Sequence, residues 1–120
     1  MKITIETIPH SEQRYPTCGD WVWGPNDELT IRVSELGDWR KEAAIGIHEA
    51  VEALLCKNDG VSQTAVDQFD LDFAGDGEPG DDRRAPYYEQ HGEATEHERM
   101  LIQALGVPWV ELCAAVEALP

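Results

Sequence analysis

The sequence predicts an α+β domain in which a small, mainly antiparallel sheet packs on three to four helices. Three observations carry that expectation. Two stretches near the N-terminus alternate apolar and polar residues, the spacing turns helical after Gly37, and 120 residues suit one core and not two. Apolar residues make up 42% of the chain, enough to build a core even at a formal net charge of -15 from 24 acids and 9 bases. A single domain over residues 1–120 follows.

In residues 2–8, Ile3, Ile5 and Thr7 alternate with Lys2, Thr4 and Glu6. In residues 29–33, Leu29, Ile31 and Val33 flank Thr30 and Arg32. Both read as strands with one buried face. Between them, Tyr15-Pro16-Thr17-Cys18-Gly19-Asp20 and Gly24-Pro25-Asn26-Asp27 are turn-forming, and the Trp21-Val22-Trp23 they enclose is a candidate third strand. Asp38 is a plausible N-cap for a helix over 39–57, whose Ala44, Ile47, Val51, Leu54 and Leu55 recur at helical spacing until Asn58-Asp59-Gly60 ends the run. Ser62 opens a second helix with Ala65, Val66, Phe69 and Phe73 as its apolar face. Residues 74–86 read as an irregular, mobile, acidic Gly/Pro loop of a length at which loops often serve function. Pro86 suits position N1 of a third helix over 87–105, closed by Gly106. Pro108 opens a last short helix with Trp109, Leu112, Val116 and Leu119 inward.

Composition narrows the partners. No apolar run approaches the ~18–20 residues that cross a bilayer, so no membrane partner is expected, and the start lacks the uninterrupted apolar core of a signal segment. Phosphate contacts need clustered Lys and Arg, which this chain lacks, so nucleic acid is not expected either. Cys18, Cys56 and Cys113 are an odd, widely spaced set with no CxxC pair, which points to a reducing cytoplasm. The acidity leaves a basic protein surface as one partner class.

The central helix contains His48-Glu49-Ala50-Val51-Glu52, an HExxE string. Residues four apart stand one above the other, about 6 Å along the axis, so His48 and Glu52 can converge on one point. Both fall within the apolar arc of the helix, where polar side chains need partners. The stripe of the third helix reads His91, Ala94, Thr95, Glu98, Leu101, Ile102 and Leu105, with polar residues in its first half. Two helices thus each aim a His and a carboxylate inward, and one cation satisfies both. His48, Glu52 and His91 form a His₂Glu set, one of the catalytic zinc sets with a fourth position left for water. Glu49 is then the candidate general base, and Glu98 is placed to orient a ligand. Tyr87 and Tyr88, one turn before His91, are candidate donors to a transition-state oxyanion. His97 lies off the stripe, and His10 has no evident partner. Residues 70–81 partly follow a calcium loop, but Ala74 removes one ligand and Asp81 stands where a bidentate Glu belongs.

With those residues in view, a resemblance emerges. Thr30-Ile31-Arg32-Val33, Asp38-Trp39, Ile47-His48-Glu49-Ala50-Val51-Glu52-Ala53-Leu54-Leu55, the acidic loop, Ala85-Pro86-Tyr87 and His91-x-x-Ala94-x-x-x-Glu98 resemble the small zincin-like proteins of phages and prophages. The resemblance implies an edge strand ahead of a metal-binding helix, Zn²⁺ as cofactor, His48 as first ligand, Glu49 as catalytic Glu, and hydrolysis of a peptide or protein substrate. The chain departs from the common motif at Glu52, where a second His is usual, and at His91, where a carboxylate often stands. A rival reading from the same acidity is a non-enzymatic phage-type inhibitor that imitates the charge of nucleic acid and blocks a basic groove. In that case His48, Glu52 and His91 are dispensable.

Overall fold

A computed structural model describes residues 1–120. In chain order it contains strands β1 (Lys2–Ile8), β2 (Gly19–Trp23) and β3 (Glu28–Ser34), followed by helices α1 (Trp39–Asp59), α2 (Gln63–Asp72), α3 (Tyr88–Ala104) and α4 (Trp109–Glu117). The class is α+β, with four helices against a three-stranded sheet.

The sheet is mixed, which corrects the mainly antiparallel expectation. Its order is β1-β3-β2: β2 pairs antiparallel with β3, and β1 pairs parallel with β3. The turn between β2 and β3 reverses the chain, with Asn26 and Asp27 in the left-handed region that these residues tolerate, and Gly24 N–H donates to the Glu28 carbonyl at 2.7 Å. Residues 9–18 instead carry the chain from β1 past the central strand to the far edge. Alternation reports which face a residue takes but is silent on strand direction.

Central β3 is fully covered at Leu29, Ile31 and Val33, whereas Ile3 and Ile5 on edge strand β1 stay about two-fifths exposed (42% and 43%). Helix α1 lies across the sheet through small residues. A side chain at Gly46 would come within 2.7 Å of Ile5, so the glycine is what permits this close approach. Asp38 accepts a hydrogen bond from Arg40 N–H at the start of α1, and Gly60, at φ 75°, ends it two residues beyond the expected stop. Ser62 caps α2 by accepting from Ala65 N–H.

Two boundaries near the loop also differ from expectation. Pro86 is not the first residue of α3. Ala85–Tyr87 form a turn, Tyr87 occupies the N-cap position, and its carbonyl accepts from His91 N–H at 2.8 Å. The stretch 74–86 is not wholly irregular either. Pro79–Asp81 make a 3-10 turn, suited to the fixed φ of Pro79, with Asp81 N–H donating to the Glu78 carbonyl. α1 and α3 share the most extensive packing of any element pair, and this sets the site. No single helix is long and apolar enough to cross a membrane.

Candidate metal centre

On α1, one helical turn stacks His48 over Glu52, both buried and turned toward α3. His91, in the first turn of α3, meets them from the other side. His48 Nε2 lies 3.2 Å from Glu52 Oε2, and His91 Nδ1 lies 2.9 Å from the same oxygen. The two imidazole rings meet edge to face, 4.7 Å between centroids. Ligand atoms of a tetrahedral ion with bonds of 2.0–2.1 Å stand about 3.3 Å apart. The observed spacings lie close to that, so the donor set fits a small dication: His48, Glu52 and His91 would hold it.

The surroundings orient each of the three. Trp21 Nε1, on β2, donates to Glu52 Oε1 at 2.9 Å and leaves Oε2 for the imidazoles. Glu98 Oε1 sits 2.8 Å from His48 Nδ1, close enough for an ion pair although off the N–H direction. On the far side of His91, Nε2 is flanked by Glu78 Oε2 at 3.2 Å and Asp81 Oδ1 at 3.1 Å. Gly80 packs flat on that ring, where any Cβ would collide with it.

These contacts explain the charge states without an ion. Burial acts to lower His91, but the hydrogen bond to Glu52 and the nearby carboxylate of Glu78 outweigh it and lift the imidazole to about 10. Burial likewise opposes the charge on His48, yet Glu52 and Glu98 raise it well above the ordinary histidine value. Burial alone would raise Glu52, and the two imidazoles instead hold it at about 2. Carboxylate and imidazoles stabilise one another as ions.

Glu49 is half-buried on the wall of an open cavity of about 290 Å³ whose lining also includes His48, Glu52, His91 and Glu98. Its side chain rests on Gly19 of β2, where an added Cβ would fall 2.7 Å from the carboxylate. Burial, aided by the charge of Glu52, pushes this carboxyl well above the usual range. It lies outside the group of convergent ligand atoms.

The tyrosines are placed differently from each other. Tyr87 is buried on the cavity wall and its hydroxyl donates to Asp70, which also accepts from Tyr15 at 3.0 Å. Burial, opposed by those two donors, moves Asp70 up to about 6. Tyr88 is exposed and lines a separate surface depression with Glu89 and Glu93. His97 is exposed. His10 bonds to Ser34 Oγ at 2.8 Å and borders the cavity. Sequence reasoning did not bring Trp21, Gly19 or Gly80 to the site, and it weighed Asp70, Glu78 and Asp81 only as parts of a calcium loop, whose first positions the structure places in α2. A core tryptophan and loop acids carry no positional signal until packing brings them to the site.

No family model, curated protein or solved structure matches the chain.

Proposed function

We propose that this chain is a zinc-dependent hydrolase acting on peptide bonds, with an HExxE helix and a later histidine as in zincins; the expected edge strand ahead of that helix is corrected by the fold, since β3 is the central strand of the sheet. One observation supports the reading above others. Two imidazole nitrogens and one carboxylate oxygen, drawn from two helices, converge beside an open cavity that also contains a second glutamate. A dication held by His48, Glu52 and His91 supplies Lewis acidity toward a carbonyl oxygen and lowers the pKa of a water.

The remaining work belongs to the chain. Glu49 faces the cavity, and its carboxyl, raised by burial, is placed to take a proton and return it. Glu98 holds the His48 ring from behind, and Trp21 keeps Glu52 turned. Of the further acids on the cavity wall, Asp20 and Asp67 pair with Arg14 at 2.7 and 3.2 Å and Asp70 accepts from Tyr15 and Tyr87, so they brace the wall around the site.

The test is the metal content per chain of the purified protein, followed by hydrolysis of a mixed peptide library. Glu49→Gln is expected to keep the metal and lose hydrolysis, and His91→Ala to lower zinc occupancy. Metal loss in Glu49→Gln, or full occupancy in His91→Ala, overturns the assignment.

The acidic-inhibitor reading has an observation of its own. Among the acids only Asp20, Glu52 and Glu98 are buried, so the negative charge lies almost wholly on the surface. That reading gains if a metal-free, stably folded protein binds a basic protein domain and His48→Ala leaves the binding unchanged.

A further inference from the structure

One ring nitrogen in the cluster has no role in the site described above. His91 is buried, its side chain 7% exposed, and its Nε2 has no well-formed hydrogen bond. That nitrogen points away from Glu52 and toward the acidic loop. Glu78 Oε2 and Asp81 Oδ1 stand beside it at 3.2 and 3.1 Å, off the N–H direction, and the three atoms lie within 4.8 Å of one another. Two carboxylate oxygens beside one nitrogen, with none in line to accept its proton, is the disposition of ligands around a shared centre.

The loop is built to hold this arrangement. The 3-10 turn joins Glu78 to Asp81 through the backbone, and Gly80 between them lies directly on the imidazole face. A side chain at position 80 would lift the turn and carry both acids away. The acids are otherwise poorly matched: neither has an Arg or Lys within ion-pairing distance, and each repels the other.

We infer that Nε2 of His91, Glu78 and Asp81 form a second divalent-cation site, in which the His91 ring is shared between two ions. The inference rests on the hydrolase reading only for the identity of the first ion. One imidazole nitrogen and two carboxylate oxygens suit a dication such as borderline Zn²⁺ or the harder Mn²⁺. When both ring nitrogens are ligands, the ring's last N–H proton passes to solvent, so charge and atoms balance. The side chains of Glu78 and Asp81 are 56% and 69% exposed, so this ion meets water and exchanges readily. It is the weaker of the two.

Equilibrium dialysis of the full chain against Zn²⁺, with ions counted per chain, tests this. The wild type is expected to take up two ions in two phases. Glu78→Gln/Asp81→Asn is expected to retain only the tight one, and Asp76→Asn, an exposed acid on the same loop, to retain both. The altered side chains are exposed, and unchanged far-ultraviolet circular dichroism verifies the fold of each variant. Saturation of the wild type at one ion, unaltered in the double variant, overturns the second site and leaves the hydrolase reading standing. An equal loss in Asp76→Asn reduces the second ion to general acidity and also overturns it. Saturation of the wild type at one ion, kept in full by His48→Ala but lost in Glu78→Gln/Asp81→Asn, supports the second site and removes the hydrolase reading. Uptake of no ion at all overturns both.

Discussion

Trp21 donates its indole N–H to Glu52 Oε1 at 2.9 Å, tying an edge strand to the carboxylate on which both imidazoles converge. The bond is buried, and Glu52 has no freedom to turn away from His48 and His91 while it persists. The candidate metal centre is therefore coupled to the sheet as well as to the two helices.

Trp21→Phe removes this donor and leaves a buried carboxylate oxygen unpaired. Zinc affinity is expected to fall by about 10–100-fold, the range for loss of a residue that orients a ligand, with about 1–3 kcal/mol lost from stability. Chelator competition and thermal melting measure the two effects. Unchanged affinity means that Trp21 serves the core only.

Gly80→Ala and Gly92→Ala form a contrasting pair on either side of His91. At position 80 a methyl group collides with the imidazole, so ring or loop must shift, and zinc affinity is expected to fall about tenfold or more on the same ligand-orienting argument. At position 92, inside α3, nothing stands in the way, and the exchange is expected to stabilise the helix by up to about 1 kcal/mol. Equal effects at the two positions would contradict the packing of the turn on His91.

The metal-free protein has a defined pH window. His91 rises from 6.5 to about 10, so its stabilising contribution is complete below 6.5 and is lost as pH climbs through 10. Glu52 falls from 4.5 to about 2, so its contribution is present above 4.5 and lost as pH drops through 2. Chelator-treated protein is expected to be most stable between those limits. Zinc must displace the histidine protons, so its affinity rises by about tenfold per pH unit for each proton released. Thermal melts and zinc titrations across pH 5–9 check both slopes, and an apo protein that gains stability above pH 7 would sink the ion-pair account.

Tyr87→Phe separates two roles for that hydroxyl. Donating to Asp70, it contributes about 1 kcal/mol to stability, and its loss leaves turnover nearly unchanged. Donating to a transition state, its loss lowers kcat by about a hundredfold or more. The geometry favours the first outcome, and steady-state kinetics with a melting curve distinguishes them.

Legibility from the sequence tracked the range of the interaction. Asp38, Gly60 and Ser62 announced helix ends because capping is settled within a few residues. His48 and Glu52 shared a face because the helical repeat places positions four apart on one side. Tyr87 shows the limit of such reasoning: one turn before His91, it is turned to Asp70 on another helix, a partner that spacing within α3 cannot reveal. Pro86 marked the approach to α3 but not its first residue, because the turn over Ala85–Tyr87 depends on Asp82 in the preceding loop.

By itself, then, the chain's order of residues determined the strands, the helices and the two faces that carry His and Glu, since each follows from backbone periodicity and local caps. Tertiary structure alone decided that β1 runs parallel to β3, that Trp21 grips Glu52, and that Gly80 brings Glu78 and Asp81 to His91. Those relations join residues distant in sequence, and only the packing of elements against a common core sets the distances between them.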